Sequence, residues 1–229
     1  MGVESLVLGE LAQRGPVLAV VAHPDDESFG LGAVIAALHV EGADIRVLCL
    51  TRGEASTLGA SADLGVVRLL ELRAAAGVLG VSEVVLEDFA DGGLSGVPVA
   101  TIDDVLNAQL RDAVTLLVFD VSGVTGHPDH RAASAAALRV ARRHHLDVLE
   151  WGVTPQVASQ LNIELATSFV ALAGDGVTDI VVDRTVQLAA IACHQSQAHD
   201  NPVLTRRLEL QGTLERVRLH PADRVQGTG

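Results

Sequence analysis

The segment VLAVVAHPDDES, residues 17–28, is the most informative about the fold, because a run of apolar strand-forming residues ends abruptly in a cluster of polar ones. A second segment repeats the pattern: LLVFDVSGVTGHPDH, residues 116–130, passes from an apolar run to a His-Pro-Asp-His motif. A strand that reads as a continuous apolar run is typically buried on both faces, as in a parallel sheet. The two segments therefore predict two buried parallel strands, each followed by polar residues at its carboxyl end.

Strand-like and helix-like segments alternate along most of the chain. Short apolar runs predict strands at 17–22, 45–50, 83–87, 114–119 and 177–182, with weaker candidates at 147–151 and 164–172. Alanine- and leucine-rich segments with helical spacing predict helices at 30–41, 63–79, 102–112, 129–144, 184–197 and 203–216. Such alternation favours an α/β fold with a Rossmann-like, doubly wound and mostly parallel sheet. We therefore predict a core strand order of 3-2-1-4-5, helices on both faces, and a single domain over residues 1–229.

The overall composition excludes several classes of partner. The chain has 229 residues and a formal net charge of −13, and it contains no lysine. Nucleic acid and anionic membrane surfaces are not expected as partners, because phosphate contacts need clustered cationic side chains. We expect a cytoplasmic protein without a membrane anchor, because the N-terminal segment lacks a basic region and no apolar run could span a bilayer. A homo-oligomer is compatible with this composition.

The polar motifs at 23–27 and 127–130 follow the first and the fourth predicted strands. In the predicted order these strands are neighbours, and the crevice between their carboxyl ends is the usual ligand site of an open α/β sheet. Pro24 and Pro128 suit the first position of a helix, where a missing N–H costs nothing. Two motifs roughly a hundred residues apart in the sequence are therefore expected to meet in one cleft.

The side chains expected in this cleft are imidazoles and carboxylates, namely His23, Asp25, Asp26, Glu27, His127, Asp129 and His130. Two imidazoles and one carboxylate form a divalent-metal site with positions left open for water, as in catalytic zinc sites. A remaining carboxylate and imidazole could then remove a proton from water and stabilise an oxyanion during hydrolysis. Either motif alone would more often indicate helix capping, and non-haem iron oxygenases use the same ligand set. The presence of both motifs favours a metal site.

Taken together, the motifs resemble the PIG-L/LmbE-like family of metal-dependent N-acetylglucosamine-type deacetylases. The resemblance is carried by AHPDDE at 22–27 and GHPDH at 126–130. Weaker support comes, in the family's order, from LTRGEAS at 50–56, VVRLLELRAAAGVLGV at 66–81, DFADGGL at 88–94 and CHQSQ at 193–197. The resemblance implies a Rossmann-like fold, one divalent metal ion and hydrolysis of an N-acetyl amide. Zinc is the expected ion, with Fe²⁺ or another divalent ion as the alternative.

Roles for individual residues come from this resemblance. It implies that the metal is bound by three residues, His23, Asp26 and His130. Asp25 would be the general base. His127 would polarise the amide carbonyl and hold the oxyanion, with Asp129 orienting or charging it.

Four further residues receive weaker assignments. Glu27 is expected to support a metal ligand, and the candidate substrate contacts are Arg68, Asp91 and His194. The preferred function is removal of an acetyl group from a small-molecule N-acetyl amino sugar or glycoconjugate by metal-activated water. The alternatives are an amidase acting on a non-sugar or thiol-conjugate amide, and a non-catalytic metal-binding regulatory module of the same fold.

Overall fold

The computed structural model describes residues 3–222, with side chains from residue 8 onward. These residues form a seven-stranded sheet in the order β3-β2-β1-β4-β5-β7-β6. The strands are β1 (Val17–Val21), β2 (Ile45–Thr51), β3 (Glu83–Phe89), β4 (Thr115–Phe119), β5 (Asp147–Gly152), β6 (Val177–Val181) and β7 (Leu214–His220). Strands β1 to β5 pair in parallel, so the predicted core order is confirmed.

Helices cover both faces of the sheet, as predicted. They are α1 (Val3–Arg14), α2 (Asp26–Phe29), α3 (Gly32–Val40), α4 (Leu64–Leu79), α5 (Val99–Leu110), α6 (Pro128–His144), α7 (Pro155–Leu165), α8 (Thr185–Ile191), α9 (Gln195–Ala198) and α10 (Pro202–Gln211), with a 3₁₀ helix at Leu94–Gly96. Alternate residues of a strand point to opposite faces. Val17 and Ala19 therefore pack with α1, α3 and α4, whereas Leu18 and Val20 pack with α5 and α6. Within residues 3–222, no helix combines the length and the apolar character that crossing a lipid bilayer would need.

The region after β5 departs from the prediction. The weak strand predicted at 164–172 is wrong: the segment contains the last residues of helix α7 and the loop after it, and it forms only an isolated bridge between Ala171 and Val153. Phe169 and Leu172 are buried, so they anchor a loop on the core. Apolar anchors in a loop and apolar residues in a strand look alike in the sequence.

The helix predicted at 203–216 is also shorter than expected. It ends at Gln211, and Gly212 leaves it with a φ of 56°. Strand β7 then runs antiparallel between β5 and β6. Its strand character is obscured by charged residues that pair with neighbouring elements, namely Glu215, Arg216 and Arg218.

The sheet order decides where the functional residues lie. Strand β1 pairs directly with β4, and Val17 is opposite Thr115. The chain leaves β1 after Val21 and leaves β4 after Phe119, at the same edge of the sheet. The two polar motifs therefore emerge side by side.

Candidate metal centre and active site

The first motif follows β1 and forms a tight loop ahead of the one-turn helix α2. Asp25 has a φ of 134° and a ψ of −27°, in a region that residues with a side chain rarely adopt. Backbone N–H groups of Ser28 and Phe29 donate to the Asp25 carbonyl, and the Asp25 N–H donates to Oε2 of Glu27 at 2.9 Å. Such strain costs about 1–3 kcal/mol and is concentrated at functional sites. The loop brings Asp25 and Asp26 to the wall of a cleft.

The second motif forms the start of α6. His127 caps this helix, because its Nδ1 accepts a hydrogen bond from the backbone N–H of Asp129 at 3.2 Å. Pro128 lies in the first turn, as predicted, whereas Pro24 lies in the loop before α2. A neutral imidazole whose Nδ1 accepts a hydrogen bond carries its proton on Nε2. His127 can therefore donate a hydrogen bond in the cleft that it lines.

Three potential metal ligands lie close together between the two motifs. Nδ1 of His23 lies 3.2 Å from Nε2 of His130, which lies 3.1 Å from Oδ1 of Asp26. The other carboxylate oxygen of Asp26 lies 3.6 Å from Nδ1 of His23. Ligand atoms bound tetrahedrally to zinc at about 2.0–2.1 Å lie about 3.3–3.4 Å from one another. The spacing of these three side chains therefore fits a divalent ion.

Hydrogen bonds on their far sides hold both imidazoles in this orientation. Nδ1 of His130 lies 3.2 Å from the carbonyl oxygen of Gly123, which places its proton on Nδ1 and leaves the Nε2 lone pair for the cluster. Nε2 of His23 faces two carboxylates, Oδ1 of Asp91 at 3.1 Å and Oδ2 of Asp129 at 3.3 Å. Histidines that bind metals usually donate their second N–H to a carbonyl or a carboxylate in this way.

The cluster offers more than one set of ligand atoms. His23, His127 and His130 bring one nitrogen each within 4.8 Å of one another, and His23, Asp91 and Asp129 form a second such group. His23 belongs to both groups and to the predicted set. A substitution of His23 is therefore expected to affect metal binding whichever set is used.

The charges of the cluster favour a cation. Burial alone would lower the pKa of His23, but hydrogen bonds with the carboxylates of Asp129, Asp26 and Asp91 raise it to about 12. Burial alone would raise the pKa of Asp26, yet His130 and His23 hold it well below its usual value. A group of side chains that stabilises added positive charge so strongly is suited to hold a divalent ion.

Asp25 lies beside the cluster with the properties of a general base. Burial raises the pKa of its carboxyl to about 6, an effect that Arg68 opposes and Asp26 reinforces. A carboxyl group with a pKa close to the working pH can accept and return a proton.

Arg68, a predicted substrate contact, forms an ion pair with Asp25. Its Nη2 lies 2.9 Å from Oδ2 of Asp25 and donates to the carbonyl of Pro24, and its Nη1 donates to the carbonyl of Gly53 at 2.7 Å. The residue is only 3% exposed. Although the guanidinium borders the cleft, its two terminal nitrogens are engaged by the protein.

The Asp129 carboxylate points to a different histidine than predicted. It accepts hydrogen bonds from the backbone N–H groups of Gly92 at 2.7 Å and Leu94 at 3.0 Å, and Oδ2 faces His23. Only its backbone N–H bonds to His127. Asp129 has no exposed surface, so its carboxylate holds His23 and the loop at 91–94 from within the protein, and its charge opposes the lowering of the pKa of His127 that burial causes.

Of the other predicted residues, Asp91 lines the cleft and His194 does not. Oδ2 of Asp91 accepts a hydrogen bond from the N–H of Ala55 at 2.9 Å, while Oδ1 faces His23. His194 is fully buried and lies 2.6 Å from Oε1 of Glu27, so the predicted substrate contact is wrong. Within the sequence motif at 193–197, His194 therefore lies behind the cleft wall and Gln197 lines the cleft.

The cleft itself has a volume of about 490 Å³. Beyond the two motifs, it is also lined by loop 55–58 and by Gln197 and Asn201, residues to which the sequence analysis gave no individual role. Ser56 Oγ donates to Oε1 of Gln197 at 2.7 Å, and Nε2 of Gln197 donates to the carbonyl of Leu58 at 3.1 Å. These neutral polar groups join the two segments into one wall.

A buried hydrogen-bond network that the sequence did not reveal supports α2 on the side facing the protein interior. Nε2 of Gln187 donates to the carbonyls of Ser28 at 3.0 Å and Phe29 at 3.2 Å, and Arg207 also donates to the Phe29 carbonyl. The centre of the network is the fully buried carboxylate of Glu215, which accepts from three side chains, Trp151, Arg184 and Gln211. A buried charge of this kind carries no local sequence pattern.

The sequence pattern of one known family, described as PIG-L: GlcNAc-PI de-N-acetylase, matches residues 18–141, more than half of the chain. The chain belongs to the PIG-L family. The matched region contains both polar motifs, while His194 and Glu215 lie outside it. The PIG-L pattern therefore covers the candidate metal ligands but not the network that supports α2.

Curated proteins similar to this PIG-L chain include deacetylases named for an acetamido sugar. The 1D-myo-inositol 2-acetamido-2-deoxy-alpha-D-glucopyranoside deacetylase of Mycobacterium avium (strain 104) is 35% identical over 147 residues, covering 52% of this chain and 49% of that protein. The protein of the same name from Nakamurella multipartita is 32% identical over 216 residues, covering 76% of this chain and 72% of that protein. The chain thus spans about half the length of the first of these relatives.

A solved structure supports the PIG-L architecture. A deacetylase of the teicoplanin biosynthesis pathway superposes with a TM-score of 0.71 at 20% identity, covering 91% of this chain and 99% of that chain. At this level of identity the similarity concerns the fold, and function has to be argued from the site.

Proposed function

We propose that this PIG-L chain is a metal-dependent hydrolase that removes the acetyl group from a small N-acetyl amino sugar or glycoconjugate. One observation carries the proposal: the donor atoms of His23, Asp26 and His130 lie 3.1–3.6 Å apart, in the cleft that Asp25 and His127 also line. The names of the curated relatives favour an N-acetyl amino sugar over other amides.

The three donor side chains suit a catalytic metal. A divalent ion held by His23, Asp26 and His130 would supply Lewis acidity, which acidifies water and polarises a carbonyl. We propose zinc, because two imidazoles and one carboxylate with open positions are typical of catalytic zinc sites. Fe²⁺ is the alternative, since the same ligand set binds non-haem iron. Metal analysis after anaerobic purification distinguishes the two.

The protein's own groups perform the proton transfers and stabilise the developing charge. The Asp25 carboxylate takes a proton from the water whose oxygen attacks the acetamide carbonyl carbon. The Nε2–H of His127 donates a hydrogen bond to the carbonyl oxygen as negative charge develops there. When the C–N bond breaks, Asp25 returns the proton to the amino nitrogen, and acetate and the free amino sugar leave.

The test measures bound metal and the release of a primary amine. Because the chain has no lysine, an amine-reactive dye detects the product against the N-terminal amine alone. Asp25→Asn should keep the metal and lose activity by about 100-fold or more, the effect of removing a general base. Asp26→Asn should lose metal affinity. Asp88→Asn, at an exposed residue paired with Arg52, should change neither.

The outcomes separate the possible functions. Unchanged metal content and turnover in both Asp25→Asn and Asp26→Asn would contradict the proposal. A metal-loaded protein that does not hydrolyse N-acetylglucosaminyl compounds but cleaves an N-acetylcysteine conjugate would be an amidase acting on a thiol-conjugate amide. A metal-loaded protein inert on every amide would be a binding module.

A further inference from the structure

The outward face of helix α4 is apolar. Val66, Leu70 and Val78 are 56%, 61% and 41% exposed, and Val67 is exposed as well. The buried side of the same helix carries its own apolar residues, namely Leu64, Leu72, Ala75, Ala76 and Leu79. Single exposed apolar residues are normal, whereas several on one face of a helix indicate an interaction surface. The outward side chains of α4 therefore leave apolar surface that the fold itself does not cover.

The exposed positions of α4 follow the spacing of a seam between paired helices. Five exposed residues are spaced alternately three and four positions apart, namely Asp63, Val66, Leu70, Arg73 and Gly77. Alternation of this kind is the a and d spacing through which two helices pack side by side. Gly77 presents no obstacle to a neighbouring helix, because even a Cβ there would meet no atom of the described chain within 4 Å. Two apolar residues thus lie between an acidic and a basic one.

This seam is complementary to itself about a two-fold axis. In an antiparallel pair of identical helices, residues equally far from the axis on either side face each other. With the axis at the level of position 68, Val66 of one copy faces Leu70 of the other. Asp63 and Arg73 are likewise equally far from position 68, so they also face each other. Apolar residues therefore meet at the centre of the pair, and opposite charges meet on both sides of it.

Asp63 and Arg73 are available for this pairing. Both are exposed, and within residues 8–222 neither side chain forms a hydrogen bond or an ion pair. Their charges also select the antiparallel arrangement. A parallel two-fold pair would place Asp63 against Asp63 and Arg73 against Arg73, and like charges that face each other at an interface oppose association.

We propose that a second copy of this chain docks on the outward face of α4, so that the two helices pair antiparallel and form a homodimer. Arg68 lies on the buried side of the helix, where it pairs with Asp25, so the pairing uses none of the residues assigned to catalysis. The inference therefore stands apart from the proposed function. A single pair of helices is a small interface, and small interfaces are typical of weak, reversible association.

Sedimentation velocity measures the association. For the wild type, the mean mass should rise from that of one chain toward that of two as the concentration increases from about 1 µM to about 1 mM, the range of weak interfaces. Leu70→Lys places a charge against Val66 of the second copy and should raise the dissociation constant by about 10-fold or more, because that charge is buried without a partner. Ile163→Lys, at an exposed residue of α7, is the matched control and should dimerise as the wild type does.

Exchanging the charges tests the antiparallel register. Asp63→Arg places an arginine against Arg73 of the second copy, and Arg73→Asp places an aspartate against Asp63. Each variant alone should therefore dimerise about 10-fold more weakly than the wild type, or worse. A mixture of the two variants should form a heterodimer with the affinity of the wild type, because each arginine of the seam then faces an aspartate. Sedimentation with a fluorophore on one variant detects this heterodimer.

The outcomes decide the inference without reference to catalysis. A wild-type chain that stays monomeric over the whole range would overturn it and leave the face to a different partner. A dimer that Leu70→Lys does not weaken would also overturn it, because the copies would then meet through another surface. Charge variants that the mixture does not rescue would contradict the antiparallel pairing. Dimerisation that is lost in Leu70→Lys and recovered in the mixture would support the inference.

Discussion

The Glu27 carboxylate lies 2.6 Å from Nε2 of His194, and neither side chain has any exposed surface. Glu27 also accepts hydrogen bonds from the backbone N–H of Asp25 and the hydroxyl of Ser28. The pair therefore ties the loop of the first motif to the segment between α8 and α9. It acts on the site through the position of Asp25.

Removing one partner of this pair should be strongly destabilising. Glu27→Ala should lower the free energy of unfolding by about 3–5 kcal/mol, because it leaves a buried imidazole without its carboxylate. Urea denaturation near neutral pH measures the effect. Glu209→Ala, at an exposed residue paired with Arg206, should leave stability nearly unchanged. A loss for Glu27→Ala as small as in this control would show that the pair does not hold the loop.

Asp129 should matter for metal affinity because it faces His23. Asp129→Asn removes the negative charge 3.3 Å from Nε2 of His23 and should weaken metal binding by about 10–100-fold. Competition with a chromophoric chelator measures the dissociation constant. Asp179→Asn, which breaks an ion pair with Arg216 on the far edge of the sheet, is the matched control. Equal affinities in the two variants would argue that Asp129 does not orient the ligand.

Two glycines allow a test of Arg68 without replacing it. Gly53 and Gly42 both have positive φ, of 63° and 93°, but only at Gly53 would a Cβ meet the guanidinium. Gly42→Ala should cost only backbone strain, about 1–2 kcal/mol, with unchanged kcat. Gly53→Ala should also displace Arg68 from Asp25 and lower kcat by about 10-fold or more, as misplaced catalytic groups do. Identical kcat values for the two variants would contradict this role of Arg68.

Glu150 should make stability depend on pH in the acid range. Its Oε2 accepts hydrogen bonds from Arg218 and His220, each at 2.8 Å, and the side chain is buried. Burial alone would raise its pKa, but the bonds from His220 and Arg218 lower it below the ordinary 4.5. A carboxylate with a lowered pKa stabilises the fold above its unfolded pKa, and this contribution disappears as the pH falls through the folded pKa.

The comparison of wild type with Glu150→Gln isolates this effect. The difference in their free energies of unfolding should be largest near neutral pH and should shrink below about pH 4.5. Urea denaturation at intervals between about pH 7 and pH 3.5 gives the difference directly. If the difference in free energy of unfolding grew on acidification, Glu150 would not be a carboxylate whose pKa is lowered by folding.

The central strands could be predicted because burial on both faces requires an unbroken run of apolar residues. Strands β1 and β4 are buried on both faces, so each reads as an unbroken apolar run, and the order of a doubly wound sheet then brings residues 23–27 and 127–130 together. Strand β7 gave no such signal. Its charges at 215, 216 and 218 are neutralised by partners far away in the sequence.

The sequence predicted that the two motifs lie close together, but it did not predict the direction in which each side chain points. Asp129 lies two residues after His127 in the motif, and the family resemblance implied that it orients or charges this histidine. The carboxylate turns instead toward the N–H groups of Gly92 and Leu94, which come from a loop that follows a different strand. Arg68 borders the cleft but is engaged by Asp25, and His194 is buried behind the cleft wall. Contacts between distant segments decide whether a polar side chain faces solvent or supports a neighbour.

The buried network that supports α2 also has a consequence for protein synthesis. All of the proposed metal ligands and acid–base groups have left the ribosome's peptidyl-transferase centre once residue 130 has been added. The donors that hold the carbonyls of Ser28 and Phe29, however, belong to Gln187 and Arg207, and the carboxylate of Glu215 is added later still. A nascent chain therefore carries every catalytic group long before it can hold them in place, and activity should begin only when the last strand is inserted into the sheet.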